Sequence, residues 1–298
     1  MSAPFFAPGR SVLGVVGGSG VYDIEGLQER RWQRVASSFG DPSDDFLFGE
    51  LGGQAMVFLP RHGRGHRIPP SAINYRANID AFKRIGVTDL VSVSAVGSLR
   101  EDLVPGTFVL VDQFIDRTFA REKSFFGEGL VAHVSLAHPV CGRLGQHLLA
   151  SARDRGISMV DGGTYLAMEG PQFSTLAESK LYRSWGCDVI GMTNMPEAKL
   201  AREAEICYAS VAMVTDFDCW HPDHDAVTVE AIVQVLMANA DRARTLVAGL
   251  APHVHADTMA EGCSCRSALQ HALITSPGVR DPALLARLDA VAGRLLRA

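Results

Sequence analysis

The chain has 298 residues, 47% of them hydrophobic, and a formal net charge of −5. That length buries a full-sized core, and the mildly acidic balance leaves no electrostatic footprint for nucleic acid or an anionic membrane surface. No uninterrupted apolar segment reaches bilayer length, and residues 1–10 lack the basic start and apolar body of a signal peptide, so a cytoplasmic location is expected.

Residues 11–16 are the first apolar strand candidate, followed by Gly17-Gly18-Ser19-Gly20. This loop fails as a dinucleotide fingerprint, because Asp23 stands where a third glycine would fall, and no lysine follows as in a P-loop. Its amides and the Ser19 hydroxyl suit an anion. Residues 54–59 read as the next strand and lead into Pro60-Arg61-His62-Gly63-Arg64-Gly65-His66-Arg67. That composition fits an anion pocket, and equally a solvated basic loop. It has no interleaved aromatics on which bases would stack.

Tyr75, Ile79 and Phe82 fall at helical spacing, with Gly86 as C-cap. Residues 90–93 form a strand that opens into a small-residue loop at 94–98, and 107–111 form another. Val140, Leu144, Leu148 and Ala152 mark a helix ending before Gly156. Residues 158–160 and 164–168 read as strands joined by Asp161-Gly162-Gly163, a hairpin signal. A loop at 169–174, a strand at 188–192 and a helix from Pro196 to about Glu205 follow.

The run from Ile206 to Val214 has the unbroken apolar character of a buried strand and delivers Thr215-Asp216-Phe217-Asp218-Cys219-Trp220. Two carboxylates one residue apart beyond a strand end suit a ligand site in an α/β sheet. They suit an Asx-capped turn as well. A long helix from about Thr228 to Leu250 carries Val229, Ile232, Val233 and Leu236, and the tail from Ser267 has helical apolar spacing. With no linker-like run and no internal repeat, the chain reads as one domain, its core at about 11–250 and its helical tail at 251–298.

Six cysteines are too few for a disulfide scaffold of this size. Cys207 reads as a small buried hydrophobe. His253, His255, Cys263 and Cys265 pair a His-x-His with a Cys-x-Cys, but the spacing fits no common zinc module. Free thiols or a redox-labile bridge are the simpler readings, and no metal is expected.

Five strand candidates thus deliver polar residues near Ser19, Arg61, Ser94, Thr193 and Asp216. Converging loops of this kind build one pocket. The first four offer donors for a phosphate-like anion, and the fifth offers acceptors.

Gly17-Gly18-Ser19-Gly20, Pro60-Arg61-His62-Gly63, Asn74-Tyr75-Arg76-Ala77-Asn78, Gly97-Ser98-Leu99-Arg100 and the segment 112–118 together resemble the trimeric purine nucleoside phosphorylase superfamily. Met168-Glu169-Gly170-Pro171-Gln172-Phe173, Ala177-Glu178, Gly191-Met192-Thr193 and Pro196-Glu197 continue the match, in consistent order over about residues 12–250. Thr215 to Trp220 is similar to the branch that cleaves S-methyl-5′-thioadenosine.

The resemblance implies a single α/β domain with a distorted, mixed central sheet flanked by helices, assembled as a homotrimer or a dimer of trimers. It implies phosphorolysis of methylthioadenosine to adenine and 5-methylthioribose 1-phosphate, with phosphate as co-substrate and no metal or organic cofactor. By motif, Ser19, Arg61, His62, Ser94, Thr193 and the Ala95 amide would bind phosphate. Ser19 and Ser94 stand where the family often has threonine, and either hydroxyl donates. Met192 would lie beside the ribose, Phe173 on the purine face and Ser174 at the purine end. His133 would reach the 5′ substituent from a neighbouring subunit, and Val229 and Ile232 would give the methylthio group an apolar wall. Asp216 and Asp218 would act on the base.

The chemistry agrees with those last two roles. As the glycosidic bond stretches, the base gains negative charge and the ribose becomes oxocarbenium-like. A carboxyl group with a raised pKa stabilises the departing base by sharing a proton with N7, and a neighbouring carboxylate and desolvation both raise it. Adenine presents an N6 donor to the second carboxylate, whereas a 6-oxopurine presents an acceptor and is rejected on the order of 10⁴-fold. The rival readings are a phosphorylase for 6-oxopurine nucleosides or methylthioinosine, a nucleosidase using water, and a non-catalytic purine-binding module.

Overall fold

The computed structural model describes residues 5–6, 9–18, 20–222, 229–257 and 262–296. Ser19, Thr228 and the side chains of Val229 and Ile232 lie outside the described residues. The strands are β1 (Val12–Gly17), β2 (Gln28–Gln33), β3 (Phe46–Leu51), β4 (Gln54–Pro60), β5 (Asp89–Ser98), β6 (Phe108–Val111), β7 (Gln113–Asp116), β8 (Met159–Asp161), β9 (Thr164–Ala167), β10 (Val189–Gly191) and β11 (Cys207–Asp216). The helices are α1 (Tyr75–Ile85), α2 (Gly142–Asp154), α3 (Leu176–Ser184), α4 (Glu197–Glu203), α5 (Val229–His255), α6 (Pro282–Arg287) and α7 (Gly293–Leu296).

All strands join one mixed sheet in the order β2-β3-β4-β1-β5-β10-β9-β7, with β11 also on β5, β6 on β11 and β8 on β6. The all-apolar β1 is buried at every residue because it runs parallel between β4 and β5, with both faces covered. Helices α1 and α4 pack Ile79, Phe82, Leu200 and Ala201 into the core cluster on one face. Leu144 and Leu148 of α2 and Leu246 and Leu250 of α5 belong to a second cluster. The expected cap of α1 is present: Gly86 adopts a left-handed φ of 99° and returns its N–H to the last turn.

Strand β5 distorts this sheet. Its first five residues pair in parallel with β1, ending at Gly17↔Val93, and β10 joins that flank only at Gly97 and Ser98, antiparallel. On its other flank β11 runs parallel from Asp89 to Gly97, with a register shift between Val214 and Asp216. Among the described residues, 94–96 therefore have no strand on one side.

Several expectations need correction. Residues 94–98, expected as a loop, continue β5, because β11 pairs along them. The segments 158–160 and 164–168 do not form a hairpin: β8 pairs in parallel with β6, and β9 lies between β10 and β7. The Gly-rich turn between them is held by β6 instead, through the Gly162 N–H on the Leu110 carbonyl. β2, β3, β7 and α3 were not anticipated. Helix α5 runs past Leu250 to His255 with Pro252 inside its last turn. The tail is mostly short turns rather than a continuous helix, yet Leu269, Ala272, Leu288 and Val291 bury into the main core.

Candidate active site

The gap beside β5 opens into a cavity of about 290 Å³, near the lower end of the range for small-molecule sites. Four of the five expected strand ends reach it: Arg61, Ser94, Thr193 and Asp216 all line it, while Ser19 is outside the described residues beside the lining residue Gly18.

At one end lies Arg61, 1% exposed and directed inward from the end of β4. Its guanidinium forks onto Glu197, with Nε donating to Oε2 at 2.9 Å and Nη2 to Oε1 at 3.1 Å. It also donates to the carbonyls of Val93 and Val16 and to Ser92 Oγ. Tyr208 donates to Glu197 at 2.9 Å, and Ser92 donates to Asn194, which donates to Ser210. A buried cation needs such pairing, and the carboxylate raises the guanidinium pKa further against the opposing effect of burial. Arg64 and Arg67, from the same basic loop, turn away: Arg64 pairs with Asp44 and Asp45, and Arg67 donates to the Ser43 carbonyl.

His62 lines the cavity with Nδ1 2.9 Å from the Ile68 carbonyl. A carbonyl only accepts, so Nδ1 carries the proton. Burial pushes the imidazole pKa down to about 4. His62 is therefore neutral at pH 7. The site is less cationic than its composition suggests, since Arg61 is neutralised by Glu197 and His62 is uncharged.

Ser94 Oγ is buried without a partner among the described residues and lines the cavity. The Val93 carbonyl faces Arg61, so by strand alternation the Ala95 N–H opens into the same unpaired gap. Thr193 is buried beside them, its N–H 3.4 Å from the Tyr165 hydroxyl. That approach requires a glycine at 191, where a Cβ would meet the Tyr165 oxygen at 2.0 Å.

At the other end, Asp216 closes β11 and accepts from the Thr215 hydroxyl at 2.7 Å and from the Asp218 N–H at 2.8 Å. Asp218 is 8% exposed, and its Oδ2 has no hydrogen-bond partner among the described residues. Burial raises the pKa of both carboxyls, and for Asp216 the neighbouring Asp218 adds to the shift. Trp220 anchors the segment by donating to the Ser98 carbonyl at 2.8 Å. Gly97 lies beneath the pair, where a Cβ would stand 3.0 Å from Asp216 Oδ1 and 3.3 Å from Asp218 Cβ.

Met192 and Phe173 line the walls, Phe173 being half exposed. Ser174 is not among the residues that line the cavity but stands close to the Asp218 carboxyl, its hydroxyl against Met168 Sδ at 3.8 Å and its carbonyl accepting from Cys219. His133 also lies outside, exposed, with its N–H on the Ala272 carbonyl. From α5 the lining side chains among the described residues are Leu236 and Ala240. Sequence reasoning gave no role to these two, to Met168 or to Glu197. A fully buried arginine demands a counter-charge, but no spacing rule points 136 residues ahead to it.

Three sets of relatives fit this geometry. The family model described as the phosphorylase superfamily matches residues 12–252. A protein of Cereibacter sphaeroides named S-methyl-5′-thioadenosine phosphorylase is 64% identical over 97% of this chain and 99% of its own. One of Rhodospirillum rubrum with the same name is 65% identical over 96% and 97%. Among solved structures, a methylthioadenosine phosphorylase from an antarctic soil metagenomic library superposes with a TM-score of 0.88 at 45% identity, covering 95% of this chain and 99% of that one. The Schistosoma mansoni methylthioadenosine phosphorylase in complex with adenine gives 0.82 at 37%, covering 87% and 96%. With the family match spanning all the strands of the sheet and both ends of its cavity, the chain belongs to the phosphorylase superfamily.

Proposed function

We propose that the chain is a pentosyltransferase that cleaves S-methyl-5′-thioadenosine with phosphate, giving adenine and 5-methylthioribose 1-phosphate, in the salvage of purine and methionine. The observation that carries this is a pair of buried polar groups in one cavity, both unsatisfied among the described residues: the Ser94 hydroxyl at the Arg61 end and the Asp218 carboxylate oxygen at the other. An anion held by Ser94, His62, Arg61, Thr193 and the Ala95 amide sits beneath the ribose and stabilises its growing positive charge before attacking it. Burial and the neighbouring Asp218 raise the Asp216 pKa, which favours its holding the proton that the departing adenine needs. Asp218 accepts from N6, and Asp216 serves N7. Phe173 and Met192 hold the base and ribose between them.

The reading extends to a cytoplasmic enzyme that uses no metal or organic cofactor in the reaction and assembles as a homotrimer or a dimer of trimers. No helix among the described residues is long and apolar enough to cross a membrane. Exposed Val131 and Ile274, joined by a backbone hydrogen bond, flank His133, and apolar surface of that kind suits a subunit contact. In that contact His133 reaches the 5′ group of a neighbour.

The test is an assay of methylthioadenosine, adenosine and inosine with and without phosphate. Phosphate-dependent release of adenine, with inosine turned over at least about 10³-fold less efficiently, is the expected result. Release of free methylthioribose without phosphate, or preference for inosine, overturns it.

A further inference from the structure

Away from the substrate cavity, four cysteines that are far apart in sequence meet at one point. Cys141 is the N-cap residue of α2, Cys207 opens β11, and Cys263 and Cys265 bracket the start of a short 3₁₀ turn in the tail. Their Sγ atoms all lie within 4.8 Å of one another, with Cys141 and Cys263 3.6 Å apart. All four are free thiols; three are buried and Cys263 is half-buried.

We infer that these four sulfurs form a structural tetrathiolate site for one zinc ion. A zinc–sulfur bond of about 2.3 Å places the sulfurs of a regular tetrahedron about 3.8 Å apart, so the cluster needs only a small contraction to close. Four cysteines serving merely as small hydrophobes have no reason to aim their sulfurs at a common centre. The His-x-His partner suggested by the sequence is not part of this group: His253 pairs with Asp154 instead. A Cys-x-Cys is too short for a zinc knuckle, but here the fold supplies the other two ligands from separate elements.

The surroundings fit a dianionic metal–thiolate centre. Cys141 is the N-cap residue of α2, whose positive end favours a thiolate there. Arg143 lies beside Cys207, and its buried Nε–H lacks a hydrogen-bond partner among the described residues, which a bound thiolate would provide. Arg202 borders the same cleft. The position gives the ion its role: it ties the tail to the start of the strand whose far end carries Asp216. It takes no part in the proposed phosphorolysis.

The experiment uses the full chain, produced in zinc-supplemented medium and purified under reducing conditions without chelator. About one zinc per chain is expected by elemental analysis. Removing it with a thiol-modifying mercurial should release it stoichiometrically, and cobalt reconstitution should give a thiolate-to-cobalt charge-transfer band and the intense visible bands of a tetrahedral centre. The double variant C263S/C265S should lose the metal, while Cys187→Ser, outside the cluster, should retain it. Because the cobalt spectrum is read on the unsubstituted protein, a variant that fails to fold leaves the test intact. Fully reduced protein that takes up neither zinc nor cobalt overturns the site. So does an intact mass showing bridges among these four cysteines, followed by no metal uptake after reduction.

Discussion

Asp218 combines a left-handed backbone φ of 52° with a buried carboxylate oxygen that has no hydrogen-bond partner among the described residues. Both are costly for an aspartate and persist only where the surroundings impose them, which is typical of a group held ready for a ligand. Asp216→Asn removes the proton that serves the leaving base, and should lower kcat for methylthioadenosine by roughly 10²–10⁴-fold with circular dichroism and melting temperature little changed; wild-type rates would remove the assignment. Asp218→Asn replaces an obligate acceptor by an amide that also donates, so the ratio of kcat/KM for adenosine to that for inosine should fall by at least about tenfold. At the opposite end, Glu197→Gln leaves the Arg61 charge buried without compensation. It should cost on the order of 3–5 kcal/mol in denaturant unfolding and raise the KM for phosphate; unchanged stability would mean that the pair is not the arginine's main support.

At the scale of elements, β5 and β11 make the site by being irregular. β1 leaves β5 at Val93 and β10 arrives only at Gly97, so a stretch of strand edge stays open to a ligand. The register shift before Asp216 turns the end of β11 toward that opening. These features were invisible in the apolar pattern, which locates a strand but not its partners. The hairpin expected at 161–163 failed for the same reason: a turn signal does not say which strands it joins. The end of α4 offers a pH test. Burial pushes Glu203 up to about 7, against about 4.3 in an unfolded chain. The folded state therefore holds the proton more tightly, and this group's contribution is fully present below about pH 4 and lost as pH rises toward 7, by about 4 kcal/mol in all. In Glu203→Gln, urea midpoints followed over that range should fall less steeply than in the parent; parallel curves would contradict the shift.

For the whole molecule, the cavity is built within one chain, yet His133 lies outside it beside exposed Val131 and Ile274. Sedimentation should therefore find assemblies of three or six chains. His133→Ala should raise the KM for methylthioadenosine, while a fully active monomer would remove the subunit-contact role.

The sequence by itself determined the class of fold, the positions of most of the strands and the residue types at their ends, because burial periodicity and strand-end polarity are local properties of the chain. Arg61, Ser94, Thr193 and Asp216 could be chosen that way, and motif resemblance supplied their joint meaning. Only the tertiary structure decided that Arg61 is neutralised by Glu197, that His62 is uncharged, that Ser174 stands close to the Asp218 carboxyl without lining the cavity, and that Cys141 and Cys207 join Cys263 and Cys265. Each of these depends on groups tens to more than a hundred residues apart meeting in a dry interior, where pairing and desolvation set charge, and no local pattern in the chain carries that information.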